Sequence, residues 1–253
     1  MMKRLLIVLI SIMLGAPVYA AHPLITDDTE TQGKGKFQLE VLGQAGYDRD
    51  KARDTITKNA TPTIQLTYGL VDKVDLVVAS TYQWNRTSDH GTVSNENGIG
   101  DATLAVKWRF FEKDGYSLAI KPLFTFPSGD WDRGLGNGKA TGSIYLIGTK
   151  DIKPFAFHIN GAYIRNENKM GQEVSLWHAS LAAEYEVIKN LKIVGNIGAQ
   201  RNVVRGDDTP PCFLLGGVIY SLTEKIDLDI GYKYGITRPE IDHTVLAGIT
   251  IKF

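Results

Sequence analysis

A single cysteine, Cys212, occurs among the 253 residues. One thiol cannot close an internal disulfide, which excludes the cross-linked frameworks of small secreted domains. No cysteine stands just after the N-terminal apolar segment, which argues against a lipid-anchored lipoprotein. Long apolar runs are also missing. Beyond the N-terminal segment the longest candidate is 212–220, and Gly216 and Gly217 interrupt it, whereas a spanning helix needs about 20 apolar residues. Neither sign of charge dominates: Lys+Arg and Asp+Glu each number 28, so nothing attracts nucleic acid. Metal-ligand spacing is lacking as well; His22, Asp27 and Asp28 are the nearest approach, with no His or Cys pattern to support a site. No helical periodicity of useful length follows the first segment, and no cofactor is implied.

What is present begins with an export signal over residues 1–20. Lys3 and Arg4 precede the apolar run Leu5 to Leu14, Gly15 to Pro17 break it, and Val18 and Ala20 are small residues suited to cleavage near Ala20. Without that signal the chain carries 26 basic and 28 acidic groups, a net charge of −2. Residues 21–34 read as a periplasmic or plugging leader, and 35–253 as one domain.

That domain alternates. At the C-terminus Val245, Ala247, Ile249, Ile251 and Phe253 face one way and Leu246, Gly248, Thr250 and Lys252 the other. Period-two alternation over about ten residues is the length a tilted strand needs to cross an outer membrane. The pattern recurs near 36–47, 60–68, 74–84, 101–111, 116–126, 140–149, 155–165, 174–187, 191–201, 212–220, 226–236 and 243–253, predicting an all-β, transmembrane antiparallel meander β-barrel of about 12 strands. The connectors alternate between short ones, such as 69–73 and 112–115, and long ones, such as 48–59, 85–100 and 127–139, as periplasmic turns alternate with external loops. Asp72 with Lys73, Asp114 with Gly115, and Lys189 with Asn190 suit tight turns.

Alternation alone does not say which face is outside, since a soluble lipocalin alternates with its apolar side inward. The aromatic residues decide it. On the apolar face they gather at strand ends, with Phe37, Tyr68, Phe110, Tyr116, Phe155, Tyr185, Tyr220 and Phe253 at one rim and Tyr47, Trp84, Phe126, Tyr163, Trp177 and Tyr234 at the other. Two rims of amphipathic rings are what the two membrane interfaces select. An aromatic last residue, Phe253, resembles the signal read by the barrel-assembly machinery.

The opposite face then lines a lumen. It carries Lys107, Arg109, Lys121, Glu184, Lys192, Asp227, Asp229 and Lys233 as candidate selectivity residues, together with Glu40, Asp75, Asp101, His158, His178, Glu186 and Lys252. Charges in a narrow, partly dry barrel must pair, so Lys107 and Arg109 are expected to find partners beside Lys121 on neighbouring strands, and Glu184 or Glu186 to pair with Lys192. Charged rings of this kind also bias permeating solutes. His178 and Ser180 share a face, a spacing that resembles the base and nucleophile of outer-membrane phospholipases. That family continues with Asn-Gly, whereas Leu181 and Ala182 follow here. The glycine-rich segment 127–138 lacks the Lys-Ser/Thr of a phosphate loop and reads as an external hairpin loop.

Three segments carry a family resemblance: HPLITDDTETQGKGKFQLE (His22 to Glu40), GIGDATLAVKWRFF (Gly98 to Phe111) and FTFPSGDWDRGLGNGK (Phe124 to Lys139). With the closing GITIKF they make the chain similar to the family of outer-membrane transporters named for the meta-cleavage pathway of phenol degradation. The resemblance implies an outer-membrane barrel moving small, often aromatic or hydrophobic, compounds, and it transfers no binding residues. The resulting expectation is a passive channel in contact with outer-membrane lipid and a small-molecule solute. A closed structural or adhesion barrel acting through its external loops, and a membrane hydrolase using His178 and Ser180, are the alternatives.

Overall fold

The computed structural model describes residues 22–253, so the export signal expected over residues 1–20 lies outside the described residues. Thirteen strands form one antiparallel sheet: β1 (Phe37–Asp50), β2 (Thr55–Val71), β3 (Val74–Asp89), β4 (Thr92–Ile99), β5 (Ala102–Lys113), β6 (Tyr116–Phe126), β7 (Thr141–Ile152), β8 (Phe155–Arg165), β9 (Ser175–Ile188), β10 (Leu191–Gln200), β11 (Cys212–Thr223), β12 (Ile226–Gly235) and β13 (His243–Lys252). Consecutive strands pair with each other except β4 and β5, and β1 also pairs with β13, from Gln38↔Lys252 to Tyr47↔His243, so the sheet closes. One edge of β3 serves two partners: Val74 to Ala79 pair with β5, and Tyr82 to Asp89 pair with β4. β4 therefore continues the line of β5 beyond a break at Gly100–Asp101, and the closed barrel has twelve strands with one extra. The fold class is the transmembrane meander barrel that the alternation predicts.

One rim is built of two-residue turns at 72–73, 114–115, 153–154, 189–190 and 224–225. Asp114 and Gly115 have φ of 51° and 74°, the left-handed pair that matches the twist of a tight hairpin. The longer connections lie at the other rim. Two of these differ from expectation. The stretches 48–59 and 85–100 are mostly strand rather than loop: β1 and β2 run on to Asp50↔Thr55, and β3 and β4 to Asp89↔Thr92. Their side chains there are largely polar, so apolar alternation ends while the backbone ladder continues.

Exposure is inverted relative to a water-soluble protein. Ile64, Ile144, Leu181 and Ile230 are 53–59% exposed, whereas Glu40, Asp75, Lys107 and Lys121 are 0–3% exposed. Such an outward apolar face belongs in hydrocarbon. Phe37, Tyr116, Phe155, Tyr185 and Tyr220 ring the short-turn rim, and Trp84, Phe126, Tyr163, Trp177 and Tyr234 the other, all of them exposed. Strand β7 turns Ile147 inward, and β11 turns Phe213 and Leu215 inward, which breaks their polar-in pattern.

Candidate functional site

The lumen is not empty. Residues 22–34 enter at the short-turn rim and cross the interior. Gly33 and Gly35, with φ of 82° and 77°, turn the chain inward ahead of β1, conformations that a side chain resists. Gly69 lets the leader pass: a Cβ there would lie 1.9 Å from the Gly33 carbonyl oxygen. The Gly69 N–H donates to Lys36 O at 2.9 Å, and the Gly35 N–H donates to Gly69 O at 2.8 Å.

Inside, side chains of the wall hold the leader backbone. The Ile25 and Thr26 N–H groups both donate to Asn196 Oδ1, at 2.7 and 3.1 Å, and the Asn196 Nδ2 donates to Thr26 Oγ1 at 2.7 Å. Asn160 accepts from the Asp27 N–H and donates to the Asp27 carbonyl, at 2.7 and 2.8 Å. Thr29 N–H donates to Thr149 Oγ1 at 3.2 Å. Leu24 packs among Ala182, Val194, Phe213, Leu215 and Leu246. That contact is the physical reason β11 faces apolar side chains inward: its neighbour in the lumen is the leader. Gly217, Gly231 and Gly248 form a floor on β11, β12 and β13, where a Cβ would come within 2.7–2.8 Å of Pro23 or His22.

Charges complete the attachment. Lys107 Nζ donates to Asp27 Oδ1 at 2.9 Å and to Asp28 Oδ1 at 3.1 Å, and Lys121 Nζ binds Asp27 Oδ2. All four side chains are at most 9% exposed. The His22 ring binds Asp229. Asp28 also accepts from the Glu30 N–H at 2.7 Å, and its negative charge pushes the Glu30 carboxyl above its ordinary range. The three leader residues considered as metal ligands are thus engaged with the barrel wall.

The pairing expected within the wall is corrected in part. Glu184 does bind Lys192, at 2.7 Å, with His158 at 3.6 Å on its other side. Lys107, however, turns to the leader, and Arg109 lies 3.6 Å from Glu112 on its own strand. Both ion pairs of Lys107 run to a segment that is remote in sequence and has no strand periodicity, so alternation could not find them. Asp227 pairs with Lys252 at 2.8 Å and Lys233 with Glu240 at 2.6 Å. Glu186 is exposed at the short-turn rim rather than in the lumen. Sequence reading also missed Asn160, Asn196 and the glycine floor; the two asparagines fall at inward positions of β8 and β10, but nothing local marks them as leader contacts.

His178 Nε2 lies 3.1 Å from Ser180 Oγ. Both are buried in the lumen, the Ser180 hydroxyl accepts from Thr26 Oγ1 at 2.7 Å, and His178 makes no ion pair among the described residues. A triad needs a group that orients the base, and here the ring instead lies 6.0 Å from that of Tyr145.

Beneath the leader a cavity of ≈ 200 Å³ opens at the short-turn side, with Glu30, Asp75, Lys192, Asp227 and Lys252 among its lining. At the opposite end the loops are joined. The Asp101 carboxylate accepts from the Gly129 and Asn137 N–H groups, both at 2.8 Å, holding 127–140 against the inward Gln83, which donates to Leu135 O at 3.2 Å. Lys169 N–H donates to Asn137 O, and Glu173 N–H to Val203 O, so 127–140, 166–174 and 201–211 form one belt.

A closed barrel with an apolar belt, a polar lumen and a short-turn rim defines the class: an outer-membrane β-barrel. The chain belongs to the family described as the MetA pathway of phenol degradation, whose model matches residues 22–253. Solved structures share the fold. An outer-membrane channel of the COG4313 group from Pseudomonas putida F1 superposes with a TM-score of 0.74 at 15% identity, over 89% of this chain and 98% of that one. The β domain of the Bordetella autotransporter BrkA gives 0.60 at 11% identity, over 87% and 100%. The NanC porin gives 0.56 at 15% identity, over 85% and 100%. No curated protein matches the chain in sequence.

Proposed function

We propose that this protein is a channel of the outer membrane that passes small molecules by passive diffusion, with the leader 22–34 as the obstruction whose release opens it. The observation that carries this reading is the nature of the obstruction. It is a single segment, covalently continuous with β1, attached to the wall by separable contacts at His22, Leu24, Thr26, Asp27 and Asp28. Around it the wall is polar, with Lys107, Lys121, Glu184, Asp229 and Lys233 turned inward and buried. Fixed charges along such a passage bias which solutes enter. The similarity to channels and porins supports this use of the fold, and the family's name makes small aromatic compounds the first solutes to try. The exposed Phe253 at the β1–β13 seam is the residue we assign to recognition by the barrel-assembly machinery.

Liposome swelling tests the proposal. Vesicles containing the refolded protein should swell in isotonic solutions of small neutral solutes, faster than protein-free vesicles, and the effect should fall off as solute size approaches that of a disaccharide. Folded protein, verified by heat-modifiable migration on a gel, that gives no swelling either with residues 22–34 or without them would point to a closed barrel acting through its loops.

A further inference from the structure

We propose that the place occupied by Asp27 is a carboxylate-binding site of the lumen, which takes the carboxylate of a small organic acid when the leader leaves. The inference rests on the channel reading and adds a substrate class to it.

The argument starts with two lysines that should not be neighbours. The pairs Ala105↔Leu123 and Trp108↔Ile120 fix the register of β5 against β6, and that register sets Lys107 directly opposite Lys121. Like charges directly opposite each other across an antiparallel pair repel, and burial amplifies the cost. Both side chains are nonetheless 3–4% exposed. Between the two flanking pairs the ladder lapses, at the point where Pro122 supplies no N–H. The wall therefore tolerates adjacent, buried cations at a place where its own backbone pairing lapses. An anion between them resolves the conflict, and in this structure the anion is the Asp27 carboxylate, one oxygen on each lysine. Asp28 adds a second contact to Lys107 at 3.1 Å.

Both of these carboxylates belong to the leader. When it withdraws, Lys107 loses both ion pairs and Lys121 loses its contact with Asp27, so the seat gives up both leader carboxylates, while the wall carboxylates Glu40 and Asp75 still act on Lys121 and Lys107 respectively. A solute carboxylate reproduces what Asp27 supplies, and a neutral solute of the same shape does not. The inward Phe213, Leu215 and Leu246, which surround Leu24, then offer apolar surface on the opposite wall for the body of such an acid. Leader and solute compete for one seat, so organic acids favour the released state.

Isothermal titration calorimetry on the full chain in detergent tests this with benzoate as probe and benzyl alcohol as its neutral counterpart. In the D27N/D28N variant the seat loses its internal anion, and benzoate affinity should rise at least tenfold over the unmodified protein. Adding K107M and K121M should abolish that gain, and benzyl alcohol should bind all three proteins equally. Folding is checked by heat-modifiable migration; D27N alone serves, with the same threshold, if the double variant does not fold. A folded variant that binds benzoate no better than the parent, or gains equally for benzyl alcohol, overturns the site. Bilayer conductance measured on the same samples separates the two readings. Benzoate binding without conductance overturns the channel and leaves the site, whereas conductance without a benzoate gain overturns the site alone.

Discussion

Asp27 is the residue on which the interior balances. Two buried ammonium groups converge on it, and Asn160 bonds both its own backbone N–H and its own carbonyl. Removing one member of a buried, hydrogen-bonded ion pair costs about 3–5 kcal/mol because the partner charge is left uncompensated. Asp27→Ala should accordingly loosen the leader far more than it disturbs the barrel. Hydrogen exchange reads this directly, since the Ile25, Thr26 and Asp27 amides donate to wall asparagines. Their protection should fall by roughly a hundredfold, the equivalent of about 3 kcal/mol, while strand amides stay unchanged. Equal protection in variant and parent would show that the amide contacts, and not the charges, hold the segment.

Among the elements, the leader and the strands differ in how far the sequence discloses them. The strands were legible where one face meets lipid: Ile226, Leu228, Ile230, Tyr232 and Tyr234 alternate with inward Asp227, Asp229 and Lys233 because hydrocarbon accepts one set and the lumen the other. Legibility stopped beyond the apolar belt, where Thr55–Ala60, Asn85–Asp89 and Thr92–Asn97 carry mostly polar side chains and the backbone ladder makes them strand. It also failed at Phe213 and Leu215, whose inward direction answers to Leu24 rather than to water. Of the site, the inward lysines and carboxylates could be placed on a face, but their partners could not, because the leader's contacts join positions some 80 to 200 residues apart through single Asp, Asn and Gly residues. The glycine floor makes the leader's docking testable at its other end. Gly231→Val puts a branched side chain where Pro23 already stands 2.8 Å from a bare Cβ. The Ile25 amide should then lose protection while the Thr29 amide, bonded to Thr149, keeps it; uniform loss along the segment would mean that it docks as one rigid unit.

At the scale of the whole molecule, two surfaces of opposite character do separate work. The outer belt holds the protein in the bilayer, and a charge placed there should cost what lipid exacts: Leu181→Arg, on a residue 53% exposed at the middle of β9, should destabilise the barrel by about 2–4 kcal/mol in reversible denaturant unfolding in lipid. A cost near zero would place β9 outside the hydrocarbon. Among the described residues the inner surface is closed by the leader on the short-turn side and narrowed by the loop belt on the other, so in the proposed channel solute flow depends on an obstruction that is a tethered segment rather than part of the wall. Single-channel recording in a planar bilayer, on protein with residues 22–34 present and then deleted, tests that most directly. The account predicts brief or infrequent openings of the intact chain and a steady conductance once the leader is gone. Silence from both forms, with heat-modifiable folding demonstrated for each, would contradict it and mean that the lumen is closed by the wall and loops themselves.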